Sequence, residues 1–412
     1  MDKIKGSLQY LKGFLKWLVI ALLLGSVGGL VGAVFHISID EVTHLREANP
    51  WLVAGLPLGG LAICALYRLS KTKIDTNRVI ESVRGKTNIP FIMAPLIFIG
   101  TVITHLFGGS AGREGAALQL GGSLGYNIGK LFRLNERDMR IIVMTGMSAV
   151  FSALFGTPIT ATIFSLEVTS VGVMYYAGLF PCMISAFVAA AISGKFGLSP
   201  VHFVLSENIS LSPISALSAA AVAILCAFVS VLFCYTIEKG EHFSKKFVKN
   251  DYVRTFAGGA LIVALTFVVG NTDYNGAGMH IIEAAMNGNA IPYAFLLKIL
   301  FTVITIAAGF KGGEIVPTFF IGATFGCTVA PLFGMSPTVG AAIGFVALFC
   351  GVVNCPIASM ILAFEVFGAE SLPVMALVCA VTYIFSGYSS LYKSQKIMYS
   401  KIEAKFINAD TK

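Results

Sequence analysis

The sequence contains two versions of one apolar segment, and any fold of this chain must accommodate both. Residues 158–168 and 356–366 carry Pro, Ile, Ile, Glu and Val in the same register. Each follows a segment rich in small residues, Gly146–Phe155 in the first case and Gly344–Val353 in the second. The duplication predicts two related halves, residues 1–205 and 206–412, joined around a polar stretch at residues 206–212.

A second pair of related segments lies upstream of the first. Residues 112–125 and 311–326 each place a glutamate after a glycine break, Glu114 and Glu314, and each segment ends in Gly-x-x-x-Gly. That spacing lets membrane helices approach closely. Duplicated halves with broken helices and a carboxylate in each are typical of transporters whose binding site lies at the membrane midplane. The spacing of the two glutamates does not fix the relative orientation of the repeats.

The composition indicates an integral membrane protein built from helices. Of the 412 residues, 56% are hydrophobic and only 12% are charged, whereas soluble proteins carry about 25% charged residues. Apolar runs such as Leu18–Phe35 and Ala216–Tyr235 are long enough to span or nearly span a membrane. Other runs are shorter or are interrupted by Gly or Pro. We therefore expect an all-α multi-pass protein of tilted and broken helices, without a removable signal peptide.

The net charge of +8 is concentrated in five segments, near residues 3–16, 68–86, 130–140, 239–254 and 393–405. The positive-inside rule predicts that all five segments, and both termini, are cytoplasmic. Aromatic residues are not interleaved with these charges, so we expect no nucleic-acid partner. The eight cysteines and six histidines show no metal-ligand spacing, and we expect no metal or cofactor.

A charged pair, Arg113 and Glu114, interrupts an otherwise uncharged apolar stretch. Three glycines just upstream disfavour a continuous helix, at roughly 1 kcal/mol each, and a new helix is expected after Glu114. The start of a helix offers free N–H groups and the positive end of a dipole, which bind anions. Irregular backbone in a membrane is tolerated only where it lines a cavity or is buried in protein. Glu114 could therefore occupy an anion site and leave it when protonated. The alternative is a structural salt bridge with Arg113.

These residues resemble a known family. Gly112-Arg113-Glu114-Gly115 is similar to the Gly-Lys/Arg-Glu-Gly-Pro signature of the CLC chloride channels and anion/proton antiporters. Residues 313–317 stand where that family has Gly-x-Phe-x-Pro, and Tyr392 matches its pore tyrosine. The resemblance implies a CLC-type inverted repeat and a homodimer with one anion pathway per subunit. It also implies that Glu114 is the external gate, which exchanges with the anion and carries the proton. The implied anion-binding and pore residues are Asn77, Gly112, Arg113, Gly115, Ile315, Val316 and Tyr392.

The departures from the family pattern narrow the resemblance to one branch. Residues 75–81, including Asn77, replace the loop that coordinates chloride. Val168 stands where chloride/proton exchangers carry the inner proton acceptor, and Glu314 precedes the pore phenylalanine position, which is Ile315. Together these features resemble the fluoride-exporting branch. Only a short basic tail is expected after Tyr392, without a regulatory domain.

The leading hypothesis is therefore a fluoride/proton antiporter that expels cytoplasmic fluoride in exchange for inward protons. Fluoride is small and strongly hydrated, so its site needs dense hydrogen-bond donors to replace water. Protonated Glu114 and Glu314 could supply such donors, and Glu314 could also take a proton from the inner side. In the structural alternative, Glu314 forms a salt bridge with Lys311.

Two other functions remain open at this stage. One is a chloride channel or chloride/proton exchanger of the same family. The other is an intramembrane serine hydrolase, because residues 108–112 and 121–125 both fit Gly-x-Ser-x-Gly. That motif needs a strand–turn–helix and partner acid and histidine residues, and it arises easily in glycine-rich sequence. An ATP-driven pump is disfavoured because Ile80 stands where a P-loop ending at residues 85–87 needs glycine. We therefore expect no enzymatic activity.

Overall fold

A computed structural model describes residues 2–68, 75–205 and 212–411, with side chains from Tyr10 onward. All of the predicted joint except Ser212, together with Lys71 and Lys73 of one basic segment, lies outside the described residues. The helices before the joint are α1 (Asp2–Ala48), α2 (Leu56–Tyr67), α3 (Thr76–Val83), α4 (Met93–Leu106), α5 (Glu114–Leu131), α6 (Glu136–Phe155), α7 (Pro158–Glu167) and α8 (Leu179–Lys195). Those after it are α9 (Pro213–Phe247), α10 (Asp251–Val269), α11 (Met279–Met286), α12 (Ala294–Ala308), α13 (Ile315–Val329), α14 (Pro337–Val353), α15 (Pro356–Phe367) and α16 (Leu372–Phe385).

The helices have the lengths and surfaces of a membrane protein with broken spans. Within the described residues, seven helical segments are long and apolar enough to cross a membrane, and five more apolar helices have only 10–17 residues. Large apolar side chains such as Val19, Phe228 and Phe267 are exposed on the long helices, where water would disfavour them and lipid would not. The prediction of an all-α membrane fold is confirmed.

Glycines bring the helices of each half into backbone contact. A Cβ atom on Gly121 of α5 would collide with the carbonyl oxygen of Gly146 of α6. The second half repeats this arrangement, because a Cβ on Gly322 of α13 would collide with the carbonyl oxygen of Gly344 of α14. The Gly-x-x-x-Gly spacing therefore acts as predicted, and it makes α5–α6 and α13–α14 the closely packed pairs of the two halves.

The two copies of the Pro-to-Glu segment hold each other through their carboxylates. Glu167, at the end of α7, accepts hydrogen bonds from the backbone N–H groups of Ile357 (3.3 Å) and Ala358 (2.8 Å) at the start of α15. Glu365, near the end of α15, accepts from Ile159 (2.9 Å) and Thr160 (2.7 Å) at the start of α7. Because each helix end meets the other helix's start, α7 and α15 are antiparallel. Each carboxylate satisfies N–H groups that a helix start leaves free.

The segment after Tyr392, expected from the sequence only as a short basic tail, forms two strands. It contains β2 (Lys396–Tyr399) and β3 (Phe406–Asp410), which are antiparallel, and β2 also pairs in parallel with β1 (Ser170–Val171) of the first half. Polar contacts add to the strand pairing. The Gln395 amide donates to the carbonyl oxygens of Val168 (2.9 Å) and Val353 (2.7 Å). The tail therefore joins the two halves.

We predict that Gly344→Ala lowers the stability of the fold while Gly194→Ala does not. The first change forces a methyl group against the backbone of α13, and overpacking of this kind costs about 1–3 kcal/mol. Gly194 has no other atom within 4 Å of a Cβ position, so the same substitution there has room. Thermal unfolding of the purified protein in detergent measures both variants. Equal midpoints for the two variants would contradict the backbone contact.

Candidate functional site

The two glycine breaks meet at one point in the fold. Gly112 and Gly313 form an antiparallel bridge in which each N–H donates to the other's carbonyl oxygen at 2.7 Å. Each preceding helix is followed within two residues by a glycine in the left-handed region, since Gly108 has φ +79° and Gly309 has φ +104°. The bridge satisfies backbone groups that the breaks expose. It also brings the starts of α5 and α13 together.

Glu114 lies at this meeting of two helix starts, and its side chain is buried. Its Oε2 accepts a hydrogen bond from the Arg113 backbone N–H at 2.9 Å, and the backbone N–H groups of Glu114 itself and of Val316 also interact with the carboxylate. A Cβ on Gly112 would stand only 2.5 Å from Oε2, so a side chain there would displace the carboxylate from its present position. The carboxylate thus occupies the place where N–H groups from both halves converge, as a tethered anion would.

In the second half, where Ile315 stands in the register of Glu114, Glu314 directly follows the bridging Gly313 and stands in the register of Arg113. It is the N-terminal cap residue of α13, and its Oε2 lies 3.6 Å from an ideal Cβ position on Gly115, near the start of α5. The Lys311 ammonium lies 4.3 Å from the ring centre of Tyr67. In the described part of the chain no ion pair joins Lys311 to Glu314, so the structural salt bridge is not formed. Ile315, the next residue, is completely buried.

Glu314 and Tyr392 line a cavity with a volume of about 730 Å³. Glu114 is not among its lining residues. The charged lining residues are Arg68, Asp75, Glu241, Lys245, Asp251, Arg254, Lys311, Glu314 and Lys393. Several of these belong to the basic segments, so the cavity opens on the side that the sequence predicts to be cytoplasmic. The two glutamates therefore differ in their access to this side.

Asn77 lines the cavity, and most of residues 75–81 is helical rather than a loop. Thr76–Val83 is helix α3, and the Asp75 side chain caps its start by accepting from the Arg78 backbone N–H at 3.0 Å. Asp75 is a strong capping residue, and its carboxylate already occupies the helix start. Asn77 Oδ1 accepts from the Ser394 backbone N–H at 2.9 Å, which connects α3 to the tail beside Tyr392.

Tyr392 is buried, and its hydroxyl has no hydrogen-bond partner among the described residues. Its backbone is well fixed, because its N–H donates to Ser390 Oγ (3.1 Å) and its carbonyl accepts from Thr411 Oγ1 (2.9 Å). A buried polar group without a partner is costly. An anion in the cavity would relieve this cost by accepting from the hydroxyl.

Asp40 is a residue of the site that the sequence did not predict. Its carboxylate on α1 accepts from Arg113 Nη1 at 2.9 Å, whereas Arg113 Nε is 3.8 Å from Glu114 Oε1. Arg113 therefore pairs more closely with Asp40 than with Glu114. The signal in the sequence is a His36–Asp40 pair, one helical turn apart in an apolar helix.

The two Gly-x-Ser-x-Gly segments have no hydrolase geometry. Ser110 Oγ shares a hydrogen bond with Thr302 Oγ1 at 3.0 Å, and Ser123 Oγ is 3.4 Å from the Asn127 amide nitrogen. Neither serine hydroxyl is hydrogen-bonded to a histidine in the described residues, and Ser123 lies inside helix α5 rather than at a strand–helix turn. The serine hydrolase hypothesis therefore lacks both the histidine base and the strand–turn–helix that the motif requires.

We predict that Tyr392→Phe weakens fluoride binding by about 1 kcal/mol, or roughly fivefold, the usual net value of one hydrogen bond. Stability should not fall, because the hydroxyl has no protein partner to lose. Isothermal titration calorimetry with fluoride and thermal unfolding measure the two quantities. Tyr293→Phe, at an exposed tyrosine outside the cavity, is the control. Binding that is unchanged in Tyr392→Phe would contradict a role as anion donor.

Comparison with known proteins agrees with this geometry. The family model described as "Voltage gated chloride channel" matches residues 59–387. A chloride/fluoride channel protein of Pseudomonas syringae pv. tomato is 37% identical, over 96% of this chain and 89% of that protein. An H(+)/Cl(−) exchange transporter of Vibrio campbellii is 25% identical, over 84% of this chain and 81% of that protein.

Solved structures show the same architecture. The crystal structure of a CLC-type fluoride/proton antiporter is 32% identical and superposes with a TM-score of 0.88, covering 93% of this chain and 98% of that one. A slow cyanobacterial Cl⁻/H⁺ antiporter, at 20% identity and a TM-score of 0.76, shares the fold over 90% of this chain and 94% of its own. The chain is a membrane transport protein rather than an enzyme, and it belongs to the voltage-gated chloride channel (CLC) family.

Proposed function

We propose that this protein is a fluoride/proton antiporter that exports cytoplasmic fluoride in exchange for inward protons. The observation that carries the proposal is the pair of glutamates at the Gly112–Gly313 bridge, each beside the helix start of the other half. Glu114 fills the anion position, and Glu314 faces the cavity. One carboxylate can thus exchange with the anion while the other has access to the opposite side.

Three further features support fluoride over chloride. Val168 is buried and apolar where an inner proton acceptor would be needed, which leaves Glu314 to exchange protons on the cavity side. Two carboxyl groups that can be protonated supply the donors that a strongly hydrated anion requires. A relative at 37% identity is named a chloride/fluoride channel protein, and a solved structure at 32% identity is a fluoride/proton antiporter.

The anion pathway would run from the cavity past Tyr392, Ile315 and Val316 to Glu114. Asn77 at the cavity wall, and Gly112, Arg113 and Gly115 at the start of α5, would complete it. We expect both termini and the basic segments on the cytoplasmic side, and a homodimer in the lipid bilayer with one pathway per subunit. The direct test is efflux from proteoliposomes loaded with fluoride or chloride, with proton influx recorded at the same time. Preferential chloride transport would assign the protein to the chloride branch.

We predict that Glu114→Gln abolishes proton-coupled exchange. The amide is almost the same size, but it can neither act as a tethered anion nor carry a proton. Proton influx driven by a fluoride gradient should fall to the level of empty liposomes. Glu41→Gln, at an exposed position of α1, is the matched control. Proton uptake near the wild-type rate in Glu114→Gln would remove this residue from the mechanism.

We predict that Glu314→Gln impairs fluoride/proton coupling and leaves the fold intact. The variant cannot exchange a proton with the cavity, so proton influx per fluoride should fall. Size-exclusion chromatography should give the wild-type elution volume, because Glu314 has no ion pair in the described structure to lose. Glu283→Gln, at an exposed position of α11, is the control. Intact coupling in Glu314→Gln would count against both a proton role and a donor role.

A further inference from the structure

We propose that Asp40 on α1 is a positioning residue that sets how readily Glu114 is protonated, by holding and neutralising Arg113. This inference rests on the proposed antiport function, in which Glu114 must take up and release a proton in every cycle. It adds a control element on α1, outside the two glycine breaks.

The geometry connects four side chains in a row. His36 Nε2 lies 2.9 Å from Asp40 Oδ2, and Asp40 Oδ1 accepts from Arg113 Nη1 at 2.9 Å. Arg113 Nε is then 3.8 Å from Glu114 Oε1. At one end of the row the Asp40 side chain is 45% exposed, and at the other end the Glu114 side chain is only 1% exposed. Asp40 is thus the more exposed end of a charge network whose other end is the buried gate position.

The electrostatic effect of Asp40 has a definite sign. A cation beside a carboxylate favours its ionised form, so Arg113 opposes protonation of Glu114. Asp40 offsets the charge of Arg113 and holds one guanidinium nitrogen away from Glu114. Without the Asp40 charge, Arg113 acts on Glu114 undiminished and is free to pair with it more closely. Both effects make Glu114 harder to protonate.

An arginine does not pass protons along such a row, since its guanidinium remains charged in proteins. Asp40 therefore acts through position and charge, and it is not a step of a proton relay. His36 keeps Asp40 in place from one helical turn earlier, on the same face of α1.

The other groups around Glu114 are common to the wild type and the variants. Glu314 lies beside the start of α5 from the side of α13, Tyr392 approaches from the tail, and His105 lies on α4. The buried part of α6, residues 142–155, contains no ionisable side chain. A change produced by substituting Asp40 alone can therefore be assigned to the Asp40–Arg113 contact.

The test compares Asp40→Asn with Glu41→Gln. Both remove one carboxylate charge from the same turn of α1, but Glu41 is exposed and has none of the ion pairs found in the described residues. Fluoride efflux and proton influx are measured in proteoliposomes over a series of pH values, equal on both sides. Exchange needs protonated Glu114, so the rate rises as pH falls, and the pH of half-maximal rate is the readout.

We expect Asp40→Asn to move this midpoint toward acid by about half a pH unit or more, which is less than the shift of about 1–3 units from a directly adjacent charge because Asp40 acts through Arg113. Glu41→Gln should keep the wild-type midpoint, and Asp40→Glu, which keeps the charge, should lie close to it. Asp40→Ser removes the same charge with a smaller side chain and replaces Asp40→Asn if that variant is recovered poorly.

An unchanged midpoint in Asp40→Asn, with or without a slower rate, would overturn the inference, because a purely structural role lowers the rate alone. A shift toward alkaline pH would overturn it as well. Measurements on the wild type distinguish failure of this inference from failure of the proposed function. Coupled fluoride and proton movement in the wild type with an unmoved midpoint in the variant refutes only the role of Asp40. Absence of coupling in the wild type would overturn both.

Discussion

The site depends on one pair of backbone hydrogen bonds, between Gly112 and Gly313. Two helices are broken inside the membrane, and each break exposes N–H and C=O groups that lipid cannot satisfy. Each break supplies the partners for the other. Side chains would prevent this approach, since a Cβ on Gly313 would collide with the Gly115 backbone nitrogen. The requirement to satisfy the backbone and the requirement for an anion site are met by the same contact.

Carboxylates at helix starts serve two purposes in this fold. Glu167 and Glu365 each bind two N–H groups of a single partner helix, and the exchange is reciprocal. Such a pair fixes α7 against α15 and leaves no N–H group to share with a ligand. Glu114 instead interacts with N–H groups from both halves. A mobile anion could take the place of the Glu114 carboxylate and accept from the same backbone N–H groups. Donors that cap a helix start could therefore also bind an anion.

The duplicated halves are not equivalent around the bridge. Glu114 is shielded from the cavity and is connected through Arg113 to Asp40 at the surface. Glu314 lines the cavity and has no ion pair in the described part of the chain. Related segments thus place one carboxylate at the cavity and one away from it. The tail strands add to this asymmetry, because they hold Tyr392 at the cavity through contacts to both halves.

The sequence by itself determined the membrane class, the internal repeat, the two glycine breaks and the glutamates beside them. These follow from local properties, namely apolar composition, the cost of glycine in a helix and the spacing of Gly-x-x-x-Gly. Helix α5 begins at Glu114, as predicted.

Only the tertiary structure decided which groups meet. Gly112 pairs with Gly313, the Val316 backbone N–H lies near the Glu114 carboxylate, and Asp40 accepts a hydrogen bond from Arg113 across a long separation in the chain. The structure also decided that residues 76–83 form a helix with a capped start, and that the basic tail forms strands. Such contacts depend on how distant segments pack, and no local pattern specifies them. The fold therefore decides which charged side chains lie next to Glu114, whereas the sequence decides only that those side chains are present.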